Sequence, residues 1–231
     1  MYERRAAGAV AQIYKGIAMK ADYDQLLCKK PKKFDAVFAW HQDMAYWPPV
    51  SMTPRTETAT FSLAVDPTTI QNGCIKYIPG SHKGKELRRH VPVAKITGKR
   101  DEAHAIAIQV DEAAETIVQA EVARVQACAA FCPSLSFRKL QNRFCVLIAR
   151  HTLSCQVSRG DVTVHDEWVV HGSGGNYTDG TRRTYVLAFR NADAVARERA
   201  LGFDHSHNTN FNWDKYHNWL DYAAAAEDVP S

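Results

Sequence analysis

Hydrophobic positions recur along the chain with two different periods. Val10, Ile13, Tyr14 and Ile17 fall at helical spacing and predict an amphipathic helix over residues 3–18, weakened by Gly8 and Gly16. Beyond that helix the pattern shortens to strand-like runs. Residues 23–28, 34–40, 58–65, 74–78, 106–110, 162–170 and 184–189 are rich in β-branched and aromatic residues or alternate in polarity. Residues 118–122 alternate too, although 111–124 can equally be drawn as a helix through Ala114, Ile117, Val118 and Val122. Pro48-Pro49, Asn72-Gly73, Pro79-Gly80 and Asp179-Gly180 break the runs. The lysine run at residues 29–33 reads as a solvated basic turn. Many short strands divided by such turns predict a mainly β chain, folded as a sandwich or barrel.

Composition narrows the class. With 231 residues, 45% of them hydrophobic, a single domain with one sizeable core is expected. No apolar run has membrane-spanning length and no segment resembles a secretory signal, so cytoplasm is the default location. A net charge of +4, scattered along the chain, gives no reason to expect a nucleic-acid or membrane partner. The six cysteines lack a regular framework and read as mostly free thiols. Oligomeric state stays open.

The candidate chemistry lies in two places. On an extended segment, His41 and Asp43 point the same way, roughly 7 Å apart at ~3.3 Å per residue, and can converge on one metal ion. The second place is the run from Gly160 to Ser173, which delivers His171 at the end of a strand before Gly174-Gly175 and Asp179-Gly180. The Asp-Gly turn predicts a hairpin that returns Arg182 or Arg183 beside the His171 strand. Two histidines and one carboxylate on one face leave coordination positions open, as in non-haem Fe(II) oxygenases. A nearby guanidinium suits a dicarboxylate, which it can grip with two parallel hydrogen bonds.

Three stretches carry a resemblance to a known family: His41-Gln42-Asp43 with Tyr46-Trp47-Pro48, Asn72-Gly73-Cys74 through Pro79-Gly80-Ser81-His82-Lys83, and Gly160-Asp161 through His171-Gly172-Ser173 to Arg182. Together they span most of residues 20–190, and the chain resembles the phytanoyl-CoA dioxygenase family of Fe(II)/2-oxoglutarate oxygenases. The resemblance implies a double-stranded β-helix (a jelly roll, cupin-like) with flanking helices. It implies Fe(II) held by His41, Asp43 and His171, with 2-oxoglutarate as co-substrate and O2 as oxidant, giving succinate and CO2. Arg182 matches the family arginine for the distal carboxylate of 2-oxoglutarate, and Ser173 a position beside that carboxylate. Arg183 would face the other way in a structural role. Thr60 and Ser62 could face the cavity and hydrogen-bond the co-substrate. Related halogenases carry a small residue in place of the aspartate, so Asp43 favours hydroxylation, of a small organic or acyl-CoA-type substrate.

Other features receive plainer readings. His165 reads as an ordinary strand residue, His82 as a turn contact, and Lys83, Lys85, Arg88 and Arg89 as a solvated basic loop. His205 and His207 read as loop residues, and Phe211, Trp213, Tyr216, Trp219 and Tyr222 as core. Residues 125–158 stand apart: they hold Cys128, Cys132, Cys145 and Cys155, several basic residues, and no Asp or Glu. They read as an atypical insert, or as translated non-coding sequence; the cysteine gaps do not match common zinc sites. Forty residues precede His41, a short N-terminal part for the family. The alternatives to an active hydroxylase are a non-catalytic relative compromised by truncation and insert, and a cupin-type metal-dependent isomerase. An isomerase has no need of Arg182.

Overall fold

The computed structural model describes residues 2–47, 54–92, 108–113, 116–117 and 152–200. Helix α1 (Tyr2–Ile13) leads into β1 (Met19–Lys29) and β2 (Phe38–His41), and a short 3-10 helix (Asp43–Tyr46) follows. Then come β3 (Thr58–Ala64), β4 (Ile75–Tyr77), β5 (His90–Pro92), β6 (Ile108–Val110), β7 (Leu153–Ser154), β8 (Val162–His165), β9 (His171–Ser173), β10 (Arg182–Asn191) and helix α2 (Ala192–Ala200). Two four-stranded antiparallel sheets, β1-β10-β3-β8 and β2-β9-β4-β7, form a jelly roll, with β5 and β6 as a separate pair.

The polarity of β3 explains how the larger sheet is used. Thr58, Thr60 and Ser62 alternate with Ala59, Phe61 and Leu63, so one face is polar and the other apolar. The apolar face, with Leu187 and Phe189 of β10, packs under Ala6 and Val10 of α1. The polar face is buried too, because it lines the space between the sheets. Hydroxyls and charges inside a jelly roll mark a site rather than a core. The smaller sheet has its own apolar support from Ile78, Val110, Ile117 and Val170, with Trp40 against them.

Helix α2 is clamped by charge. Arg190 makes two 2.7 Å bonds to the Glu198 carboxylate and a 3.2 Å ion pair with Asp22, and Arg199 reaches Asp22 at 2.5 Å. The Arg190 guanidinium also lies 3.9 Å from the Trp47 ring centre. Its planar shape allows the fork and the stacking together.

Several elements differ from the sequence reading. The first helix ends at Ile13, and Gly16 at φ 76° turns the chain toward β1, which runs longer than expected. The expected strand at 162–170 stops at His165, and the next strand, β9, starts at His171 in the other sheet. Between them the Asp166 carboxylate accepts the backbone N–H groups of Trp168 and Val169 (3.2 and 3.0 Å) and turns the chain. For the same reason the expected hairpin does not form. β10 pairs with β1 and β3, and β9 pairs with β2 and β4. Lys29 is not part of a solvated turn; it closes β1 and is 2% exposed.

Residues 152–158, the end of the segment set apart in the sequence, belong to the fold. Leu153 and Ser154 pair with β4, and Thr68 bridges Val157. Residues 118–122, Cys128, Cys132, Cys145, His205, His207 and the aromatic positions from Phe211 onward lie outside the described residues. Among the described residues, Cys28, Cys74 and Cys155 are free thiols, and no helix is long and apolar enough to cross a membrane.

Candidate metal centre and anion pocket

His41 ends β2 and His171 begins β9, directly opposite in the register. Asp43 does not continue the strand as expected. Gln42 stays extended (φ −112°, ψ 137°) and Asp43 then opens the 3-10 helix, so its carboxylate folds back toward the two imidazoles. One ligand atom from each of His41, Asp43 and His171 lies within 4.8 Å of the others. Asp43 Oδ1 is 3.6 Å from His41 Nε2 and 3.4 Å from His171 Nε2.

The backbone orients both rings. His41 Nδ1 donates to Ala39 O at 2.7 Å, and His171 Nδ1 to Val169 O at 3.0 Å. A carbonyl only accepts, so each Nδ1 carries the proton and each Nε2 lone pair faces Asp43. Burial pulls the Asp43 carboxyl upward, but His171, His165 and His41 outweigh it and hold it well below the usual carboxylate range. Burial, His41 and His165 hold the His171 imidazole well below its ordinary value. An ionised carboxylate and unprotonated imidazole nitrogens are the donor set a divalent transition metal requires. The residues fit such an ion.

His165 belongs to this cluster, contrary to the plain strand reading. Its ring centre is 4.3 Å from that of His171, its Nε2 is 3.4 Å from Asp43 Oδ2, and its Nδ1 is 2.9 Å from the Tyr77 hydroxyl. Among the described residues, that buried Nε2 has no partner at hydrogen-bond geometry. On β8 the valines Val162 and Val164 are exposed, while Thr163 and His165 point inward. An edge strand with its polar residues turned inward is lining a site.

Of the positions expected to meet a co-substrate, Thr60 donates to Asp43 Oδ2 at 3.1 Å, so its contact is with the carboxylate of the centre. Ser62 is buried on the same face of β3, two residues on. Ser173 and Arg182 sit in a second cluster. Ser173 Oγ accepts from Lys29 Nζ at 2.7 Å, and the same ammonium donates to Gly174 O. Arg182 donates to Thr184 Oγ1 at 2.6 Å, Gly73 O at 2.5 Å and Asn72 O at 3.4 Å. Gly73, at φ 76°, lets these loops meet, because a Cβ there would lie 2.2 Å from Gly174 O. Arg183 turns outward and pairs with Asp66 at 2.7 Å.

The two clusters are adjacent. His171 and Ser173 share one face of β9, separated by Gly172, so the second cluster begins roughly 7 Å along the strand from His171.

The phytanoyl-CoA dioxygenase (PhyH) family model matches residues 3–124 and 149–184. The chain belongs to the phytanoyl-CoA dioxygenase family. The matched stretches leave out residues 125–148, inside the segment the sequence set apart. EvdO2 from Micromonospora carbonacea var. aurantiaca has the same fold, with a TM-score of 0.53 and 23% identity over 82% of this chain and 60% of that one. ThoJ, a non-heme monooxygenase in its apo form, has a TM-score of 0.52 and 18% identity over 80% of this chain and 51% of that one. The chain thus spans between half and three fifths of these proteins' lengths. No curated protein matches it.

Proposed function

We propose that the protein is an Fe(II)- and 2-oxoglutarate-dependent dioxygenase that hydroxylates a small organic or acyl-CoA-type molecule. One observation carries the reading: the convergent donor set of His41, Asp43 and His171 stands two residues along β9 from a cationic pocket built on Arg182 and Ser173. Membership of the phytanoyl-CoA dioxygenase family supports it. Bound Fe(II) supplies the redox chemistry, in which O2, 2-oxoglutarate and a C–H bond give succinate, CO2 and an alcohol.

The protein's own contributions follow from its side chains. His41 and His171 present Nε2, their rings fixed by Ala39 O and Val169 O. Asp43 offers Oδ1 while Thr60 holds Oδ2, which favours binding through one oxygen and leaves room for other ligands. Arg182 has five N–H groups and spends three on Thr184, Gly73 and Asn72, so two remain for a carboxylate.

Anaerobic titration with Fe(II) and 2-oxoglutarate tests the reading through the weak visible charge-transfer band of the chelate. The band should appear in the native chain, vanish in His171→Ala, and need far more 2-oxoglutarate in Arg182→Ala. A folded chain with no band would sink the proposal. Succinate release coupled to consumption of a candidate substrate then identifies what is hydroxylated.

A further inference from the structure

Lys29 and Arg182 are direct partners in the β1–β10 register, so their side chains leave the same face of the larger sheet. Both are buried, at 2% and 5% exposure. Among the described residues neither has a carboxylate within ion-pair distance. Like charges directly opposite each other disfavour a sheet, and burying cations away from counter-ions costs more. The fold nevertheless draws these two together: Lys29 binds Gly174 O and Ser173 Oγ, Arg182 binds Gly73 O, and Gly73 lies so close to Gly174 O that a Cβ at position 73 would clash with it. Neutral acceptors orient the two heads without neutralising them. The two cationic heads converge where an anion would be held by both.

We propose that Lys29 is a second carboxylate-binding cation of the co-substrate pocket, gripping the distal end of a 2-oxo diacid together with Arg182. The inference rests on the 2-oxoglutarate reading above and adds a residue to it. An ammonium is a point charge with three donors, two of them used by Ser173 and Gly174, and the third serves the carboxylate. The guanidinium supplies direction and the ammonium supplies charge, so the pocket selects for a terminal carboxylate over an amide or a methyl group. Burial first, and then Arg182, lower the Lys29 ammonium to about 7, consistent with a cation that lacks its counter-ion.

The test compares two ligands on the Fe(II)-loaded chain under anaerobic conditions: 2-oxoglutarate, and 2-oxobutyrate, which has the same metal-binding head and no distal carboxylate. Lys29→Met keeps the length and apolar stem of the side chain. It should raise the Kd for 2-oxoglutarate about 10–100-fold, the worth of one charged hydrogen bond, and leave 2-oxobutyrate within about twofold. Lys29→Arg should recover most of the loss. Unchanged 2-oxoglutarate affinity in Lys29→Met, with Arg182→Ala still weakened, would overturn the role of Lys29 and leave the proposed function standing. Equal loss for both ligands, or no rescue by arginine, would overturn it as well by showing a structural role. Absence of any band in the native chain would overturn both readings together. Thermal melts of each variant separate lost binding from lost fold.

Discussion

The Nε2 of His165 lies 3.4 Å from Oδ2 of Asp43, on the side of the carboxylate away from the oxygen that faces His41 and His171. Thr60 approaches the same Oδ2 at 3.1 Å. Asp43 therefore has one oxygen turned to the metal position and the other held from behind. Tyr77 completes the chain of contacts, its hydroxyl 2.9 Å from His165 Nδ1. If the hydroxyl donates there, the proton of His165 sits on Nε2, aimed at Asp43.

From this relationship His165→Phe should weaken Fe(II) binding roughly 10–100-fold, the usual effect of removing a partner that orients a metal ligand. Competition with a chromophoric chelator measures it without turnover. Tyr77→Phe should act in the same direction and more weakly, since it frees the ring without removing it. Thr60→Val should combine non-additively with His165→Phe, because Thr60 and His165 share one oxygen. Equal metal affinity in His165→Phe and the native chain would mean that His165 is packing only.

How far the site was legible in the sequence depended on whether its residues were local or brought together by the fold. His41, Asp43 and His171 sit in short recognisable stretches, and the mainly β architecture followed from the alternating runs. Asp43 was placed on a strand because period-2 spacing alone accounts for two side chains on one face, and nothing in the residues announces the 3-10 turn. His165 and Lys29 were missed for a related reason. Whether a histidine on an edge strand faces in or out is set by which sheet that strand joins, and the chain changes sheet at Asp166. A lysine at the head of a lysine run looks solvated until β1 is seen to extend to Lys29 and to pair it with Arg182.

Glu167 makes a pH-dependent prediction. Its carboxylate accepts the Thr58 backbone N–H at 3.1 Å, yet burial pushes its pKa from 4.5 up to about 7. An acid with a raised folded pKa binds its proton more tightly in the folded state. Its contribution is therefore complete below pH 4.5 and is lost as the pH rises through 7, by roughly 3 kcal/mol. Glu167→Gln keeps an acceptor for Thr58 and removes the titration. The variant should melt higher than the native chain at pH 8, with the gap closing toward pH 5. A constant gap across that range would contradict the assignment.

The clamp on α2 predicts a large stability effect far from the chemistry. Glu198 and Arg190 are 0% and 2% exposed, so removing one leaves a buried charge without its main partner. Glu198→Ala should cost about 3–5 kcal/mol, seen as a lower midpoint in urea. Replacing Asp22 by Asn should cost less, because Glu198 keeps its two bonds to Arg190. If Glu198→Ala lowered stability no more than a surface substitution, the clamp would be an arrangement without energetic weight.

The proposed co-substrate pocket predicts proton uptake. Burial and then Arg182 lower Lys29 to about 7; the thiol of Cys74, its own pKa raised by burial, opposes them, and the cation Lys76 acts with them. Cys28, exposed and next to Lys29 on β1, belongs to the opposite face of that strand. A carboxylate brought against the ammonium favours its charged form, so the pKa rises on binding. Between the free and bound values the complex holds more protons than the free protein, and affinity for 2-oxoglutarate must fall as the pH climbs above 7. Calorimetry at pH 8 in two buffers of different ionisation enthalpy reads the uptake directly. A fraction of a proton should be taken up by the native chain and close to none by Lys29→Met. Equal uptake in the two would assign the proton to another group, and with it the charge that the distal carboxylate meets.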